Sequence, residues 1–182
     1  MSTTPTAPAI LTAPATATGA ALTLRPWRLD DLAALIEAHQ DPALHRWTRS
    51  GPRQESDGEE WFKTQQENWA SGKRLAFAVL EAGKLLGSVV LKEVAPGKPT
   101  AEVGYWTAAA ARGRGVAPRA LESLTQWAFR SVGIEAIDLI HQVDNPGSCR
   151  VAEKTGYPLD STLPALPPEY PLAGHLHRRR AA

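Results

Sequence analysis

Two stretches of this chain combine residue types and spacings that can do chemistry. The first is the loop Arg112-Gly113-Arg114-Gly115-Val116-Ala117, which follows Glu102-Val-Gly-Tyr105-Trp106-Thr107. It reads as a strand, a tight turn with two glycines, and the first turn of a helix. Backbone amides at a helix start have no partner within the helix and point outward, so they can hold an anion. Gly113 and Gly115 let the chain turn sharply and bring its amides close to a bulky group. Arg112 and Arg114 add positive charge, and Pro118 suits the first helical turn. A phosphate is the ligand this combination fits. The spacing is not that of a P-loop, which needs four residues between its glycines and a Lys before Ser or Thr. It is not a dinucleotide fingerprint either, because Pro118 stands where a third glycine is required. The second stretch is Asn145-Pro-Gly-Ser148-Cys149-Arg150, in which Asn145 reads as a helix N-cap and Pro146 as the first helical residue.

The elements around these stretches follow from periodicity. Ala21 to Pro26 alternates and predicts a strand. Asp30 or Asp31 then caps a helix with Leu32, Leu35 and Ile36 on its apolar face. Asp41-Pro42 opens a short helix to about Trp47. Thr48 to Asp57 predicts a polar loop, and Glu59 to Ser71 a helix ended by Gly72. Leu75–Glu81 and Leu85–Leu91 predict a hairpin, and Ala101 to Thr107 the strand before the glycine loop. Ala117, Leu121, Leu124 and Ala128 make the apolar face of the following helix, which Gly133 ends. Ile134 to Val143 returns to a period of two and predicts a strand. The helix opened by Asn145 ends before Gly156, a short strand starts at Tyr157, and a last one runs over about Leu172 to Arg178. The order predicts one α/β (α+β) domain over residues 21–182, a mixed sheet with helices packed on it.

Composition bounds the function. The 182 residues carry a net charge of +1, 43% apolar and 21% charged residues, as expected of a globular protein with a full core. The balanced charge argues against a nucleic-acid partner. One cysteine, Cys149, cannot form an internal disulfide, which fits a reducing, cytoplasmic compartment. Residues 1–20 are rich in Ala, Thr and Pro without charge, so a flexible tail is expected there, neither a leader nor a membrane span. No metal-ligand spacing is present, and no metal is expected.

Arg112-x-x-Gly115-x-Ala117, Asn145-x-x-Ser148 followed by Arg150 to Gly156-Tyr157, Glu102-Val-Gly-Tyr105-Trp106, and the opening Leu24-Arg25-Pro26 together resemble the GNAT superfamily of acyl-CoA-dependent N-acyltransferases. They are most similar to the branch of ribosomal-protein N-terminal acetyltransferases (RimJ/RimL type), over about Leu22 to Arg179. The resemblance implies a mostly antiparallel sheet of about seven strands with helices on both faces. In its middle, a parallel pair, the strands of Tyr105 and Val143, would splay apart to admit the pantetheine arm. It implies acetyl-CoA as co-substrate, its pyrophosphate on residues 112–117, with Tyr105, Trp106, Thr107, Asn145, Ser148 and Arg150 also at the cofactor.

The same resemblance assigns roles. The family often has a Tyr that protonates the leaving thiolate, and that place is Ala152 here. Ser148, or a water it holds, is the implied donor, though Ser in a first helical turn also has purely local uses. Glu102 is the candidate general base for an ammonium that must lose its proton before attack; a solvated charge at a strand start is the plainer reading. His141 on the neighbouring strand is a weaker candidate. Trp47 and the 48–57 loop would contact the acceptor, though a tryptophan is more often a packing residue; Glu55, Asp57, Glu59 and Glu60 would make that wall acidic, though a solvated face is the simpler reading of them. Cys149 reads as a small apolar residue with no recognisable base partner. The function implied is acetyl transfer to a primary amine, a small molecule or a protein N-terminus, by a monomer or homodimer. The alternative is a non-catalytic acyl-CoA-binding module.

Overall fold

The computed structural model describes residues 9–48, 51–52 and 54–182. Its centre is one eight-stranded sheet in the order β1-β2-β3-β4-β5-β6-β8-β7. The strands are β1 (Leu11–Ala13), β2 (Leu22–Pro26), β3 (Leu75–Glu81), β4 (Lys84–Lys92), β5 (Thr100–Thr107), β6 (Ala136–Gln142), β7 (Leu159–Leu163) and β8 (Gly174–Arg180). Every neighbouring pair is antiparallel except β5 and β6. The helices are α1 (Leu32–Ala38), α2 (Pro42–Trp47), α3 (Gly58–Ser71), α4 (Val116–Trp127) and α5 (Pro146–Lys154).

Alternation along the strands separates two apolar layers. On β3, Leu75, Phe77 and Val79 face one layer with Val116, Ala120, Leu121 and Leu124 of α4. Ala76, Ala78 and Leu80 face the other, with Trp27, Leu35 of α1 and Trp61 of α3. Both faces of β3 are therefore buried, and its sequence is a near-continuous apolar run. Leu121 and Leu124 are fully buried, a burial worth roughly 1.5–3 kcal/mol for each side chain. Five of the tryptophans stack within these layers or pack against them: Trp27 with Trp61 and Trp106, Trp69 and Trp127 against Phe77.

One expectation is corrected at the N-terminus. Residues 9–20 are not a free tail: Leu11–Ala13 form β1, an edge strand paired with β2, and Ala13 is buried in the core. This strand is the eighth, beyond the seven expected. Its anchors come from far along the chain. Arg119 on α4 donates to the carbonyls of Pro14 and Ala20, so backbone hydrogen bonds and a distant guanidinium hold a segment with too little apolar surface to hold itself. Residues 1–8 lie outside the described part, as do residues 49, 50 and 53 of the expected 48–57 loop. Among the described residues no helix is long and apolar enough to cross a membrane.

Smaller differences follow from local hydrogen bonding. The last two strands begin later than expected, at Leu159 and Gly174, and β6 is shorter, Ala136–Gln142. After α4 the chain makes a π turn over Ala128–Val132 before Gly133, whose φ is 78°.

Candidate active site

The site is built where β5 and β6 part. Their parallel ladder covers only Thr100–Val103 against Ala136–Leu139. Beyond it, Gly104–Thr107 stay paired with β4, while Ile140–Gln142 stay paired with β8. The facing edges of the two strands therefore carry backbone groups without ladder partners. An extended amide chain can pair with such an edge.

The glycine loop lies just past the end of β5. Gly113 and Gly115 have φ of 75° and 72°, the left-handed region that costs a side-chain-bearing residue roughly 1–2 kcal/mol. A Cβ at either would meet nothing within 4 Å, so the backbone angle, not crowding by the protein, calls for glycine. Gly115 caps α4 with no side chain of its own to satisfy the first amides, which leaves them for a ligand.

A cleft of about 510 Å³ runs along this loop. Arg112, Gly113, Gly115, Val116, Ala117, Asn145 and Arg150 line it, as do Tyr105, Trp106, Thr107 and Ser148. Arg114 does not. Its guanidinium pairs with Glu81 at 2.5 Å. Arg112 is held by Asp41 and by the Thr107 carbonyl. Lys154, one turn after Arg150 on α5, lines the cleft as well; sequence reading passed it over because its distance from the glycine loop is closed only by the fold.

A second cavity of about 570 Å³ opens on the other side of the parted strands. Trp47, Thr48, Tyr105, Trp106, Asn145 and Ser148 line both spaces, so the two meet at the splay. Trp47 is 37% exposed with the Arg46 guanidinium 4.7 Å from its ring centre. Glu55, Asp57, Glu59 and Glu60 take the simpler of their two readings: they are exposed and do not line this cavity. Its charges are Glu102, Arg46, Arg74 and Lys92. Burial lowers the pKa of Arg74, an effect Glu102 opposes.

Ser148 and Tyr105 meet at the junction. Asn145 caps α5 by accepting from the Ser148 amide at 3.2 Å. That fixes the first helical turn and aims the Ser148 hydroxyl at the Tyr105 hydroxyl, 2.8 Å away. Burial pushes Tyr105 up to about 12, partly offset by the bond to Ser148. Ala152, where the family's tyrosine was sought, is fully buried in the core. Tyr105 was expected only as a strand residue beside the cofactor. Its pairing with Ser148 joins residues 43 positions apart, and no local pattern announces it.

Glu102 lies on β5 two and four positions before Gly104 and Trp106, so it shares the face that Trp106 turns to the Trp27 layer. Tyr105 packs against the opposite layer, with α4. The carboxylate and the hydroxyl pair thus approach the splay from opposite faces of the sheet. Lys92 Nζ sits 2.5 Å from the Glu102 carboxylate. His141 also borders the second cavity, but its Nδ1 donates to the Gln142 carbonyl at 2.8 Å and its Nε2 faces His177 and Cys149. Burial lowers its pKa, and the neighbouring His177 and His175 lower it further. Cys149 does have imidazole neighbours, His141 and His175, at 3.5 and 3.4 Å, contrary to the expectation of none; they arrive from β6 and β8.

Comparison with known proteins agrees with this architecture. The family profile described as "Acetyltransferase (GNAT) domain" matches residues 21–158. Ribosomal-protein-serine acetyltransferase of Escherichia coli strain K12 is 30% identical over 87 residues, 48% of this chain and 49% of that protein. The match thus spans about half the length of this curated relative. Mycobacterium smegmatis RimJ in complex with CoA-disulfide superposes with a TM-score of 0.80 at 20% identity, covering 100% of this chain and 90% of that one. The microcin C7 self-immunity acetyltransferase MccE, in complex with acetyl-CoA and AMP, superposes at 0.79 and 20% identity, covering 91% and 98%. Such likenesses carry the fold; the profile carries the lineage. Because its match runs from β2 past the end of α5, the chain belongs to the GNAT acetyltransferase family.

Proposed function

We propose that this protein transfers an acetyl group from acetyl-CoA to a primary amine, both bound together, with no acetyl-enzyme intermediate. The observation that carries the reading is the Tyr105–Ser148 hydroxyl pair at the junction of the two cavities. One cavity ends in a glycine loop suited to a pyrophosphate; the other opens toward an acceptor.

Gly113, Gly115, Val116 and Ala117 hold the pyrophosphate through backbone amides at the start of α4. Arg112, Arg150 and Lys154 supply positive charge around it, and the free edge of β5 with Asn145 takes the pantetheine amides. The backbone N–H groups near Tyr105 to Thr107 stabilise the oxyanion as the amine attacks the thioester carbonyl. Ser148, oriented by Tyr105, hydrogen-bonds the leaving thiolate. Glu102 accepts the ammonium proton through water from the opposite face, assistance worth roughly 10² to 10⁴-fold. Lys92, 2.5 Å away, holds that carboxylate in place. Trp47 and His141 border the acceptor's entry.

The acceptor class is a primary amine. A protein N-terminus heads the panel to be tried, because the Escherichia coli relative is named a ribosomal-protein-serine acetyltransferase, with polyamines and amino acids beside it. The test is amine-dependent release of free thiol from acetyl-CoA, with the acetylated amine identified by mass. Turnover supports the reading. Tight cofactor binding with no turnover of any amine would favour an acyl-CoA-binding module instead.

A further inference from the structure

Under the first turn of α5, four side chains from three elements converge: His141 of β6, Cys149 of α5, and His175 and His177 of β8. Their nearest ligand-capable atoms all lie within 4.8 Å of one another. The register explains the meeting. His141 pairs directly with His175, and Leu139 with His177, so His141, His175 and His177 emerge on one face of the sheet. Cys149 descends onto that face from the helix. His177 is 3% exposed and the other three are half-buried.

The hydrogen bonds fix where the lone pairs point. Nδ1 of His141 faces the Gln142 carbonyl at 2.8 Å, and Nδ1 of His177 faces the Tyr157 carbonyl at 3.1 Å. A carbonyl oxygen only accepts, so both Nδ1 atoms carry the proton. In the neutral rings both Nε2 atoms then present bare lone pairs, and these face each other at 3.2 Å. Two lone pairs at that distance require a positive species between them. A proton would do, but it would place an imidazolium in a partly buried cluster of three imidazoles.

We propose that His141, Cys149, His175 and His177 form a tetrahedral Zn²⁺ site beside the acceptor cavity. Zn–N bonds of about 2.05 Å and a Zn–S bond of about 2.3 Å at tetrahedral angles put ligand nitrogens about 3.35 Å apart and sulfur about 3.55 Å from nitrogen. Three of the six separations here match: 3.2 Å between the two Nε2 atoms, and 3.5 and 3.4 Å from Cys149 Sγ to His141 Nε2 and His175 Nδ1; the other three lie within 4.8 Å. One thiolate and three imidazoles suit a borderline-soft d¹⁰ cation. The two carbonyl partners are the outer shell that orients metal-binding histidines. The site takes no part in acetyl transfer. It clamps the turn that carries Ser148 to β6 and β8, and the Cys149 thiol loses its proton on binding.

The test uses tag-free, chelator-dialysed full chain. Zn²⁺ is titrated against a chromophoric chelator, and Co²⁺ is added separately as a spectroscopic probe. One equivalent of Zn²⁺ should bind and raise the melting temperature. Co²⁺ should give tetrahedral visible bands and a thiolate-to-cobalt charge-transfer band. Cys149→Ala should abolish that band. Cys149→Ala and His175→Ala should each weaken Zn²⁺ binding by more than the roughly 10–100-fold that loss of an outer-shell partner costs. Coenzyme A affinity, checked in each variant, reports that it is folded. Substoichiometric Zn²⁺ binding by the wild type, or stoichiometric binding unchanged in both variants, would overturn the proposal in favour of a hydrogen-bonded histidine pair sharing a proton.

Discussion

Removing the Ser148 hydroxyl is the sharpest perturbation of the proposed chemistry, because the structure sets its size. Tyr105 lies 2.8 Å from Ser148 and is pushed up to about 12 by burial. A thiol such as that of coenzyme A ionises near 8.5, so complete transfer of the tyrosine proton to the thiolate runs uphill by about 5 kcal/mol. The pair therefore acts by hydrogen-bonding the developing thiolate. A hydrogen bond to a charged group is worth roughly 1.5–3 kcal/mol, which sets the loss for Ser148→Ala at about 10- to 150-fold in the chemical step. Tyr105→Phe removes a neutral bond worth roughly 0.5–1.5 kcal/mol, a loss of about 2- to 13-fold. Since Tyr105 acts through Ser148, the double variant should be no slower than Ser148→Ala alone. Stability should follow a different pattern. Ser148→Ala strands the tyrosine hydroxyl at a cost of about 1 kcal/mol, and the double variant recovers part of it. The assay is single-turnover thiol release at saturating acetyl-CoA, with urea unfolding of all four proteins. A wild-type single-turnover rate in Ser148→Ala, or strictly multiplicative losses in the double variant, would refute the argument.

Three further outcomes are expected. Gly115→Glu places a Cβ at a φ of 72° and a negative charge at the α4 start, so coenzyme A binding by calorimetry should be lost; a folded variant with unchanged affinity would remove the pyrophosphate from this loop. Glu102→Gln should lower kcat/KM for the amine most near about pH 6 and least near about pH 9, where free amine needs no base, and leave cofactor affinity intact; superimposable profiles would reduce Glu102 to a strand residue paired with Lys92. Asp31 accepts two bonds from Arg25 and one from the Arg28 amide. Burial raises its pKa, but these partners together hold it below 3.8. That stability is present above its unfolded value and is lost as pH falls through the lower folded value. Asp31→Ala should cost about 3–5 kcal/mol at neutral pH by stranding Arg25, and its unfolding should lack this acid-dependent part; a smaller loss in chemical denaturation would show that Arg25 finds water instead.

Local chemistry was legible from the residues, and distant pairings were not. Asp41-Pro42 and Asn145-Pro146 announced helix starts because the cap and the first helical residue are neighbours in the chain, and both caps accept the expected amides. Gly115 announced the start of α4 because its need for positive φ is a property of one residue. The pairing of Arg114 with Glu81 had no local signal, because Glu81 is 33 positions away on another strand. The sequence Leu11-Thr-Ala13 looked too weakly apolar for structure, and its anchor, Arg119, lies over 100 positions away. Of the two readings of Glu55, Asp57, Glu59 and Glu60, an acidic acceptor wall and a solvated face, exposure selects the solvated face. The His141, Cys149, His175 and His177 cluster has no linear spacing to find, since register between β6 and β8 assembles it.

The most direct test of the central claim is a quantitative pairing of thiol release with acetylated product. Purified protein, acetyl-CoA and a panel of primary amines, peptide N-termini included, would be followed to completion, and the protein's own mass recorded during turnover. The account predicts one acetylated amine for each free thiol with at least one acceptor class, a rate that depends on both substrates in ternary-complex fashion, and no acetylated protein intermediate. Thiol release that matches a transient acetyl-enzyme, or cofactor binding without turnover of any amine, would contradict it.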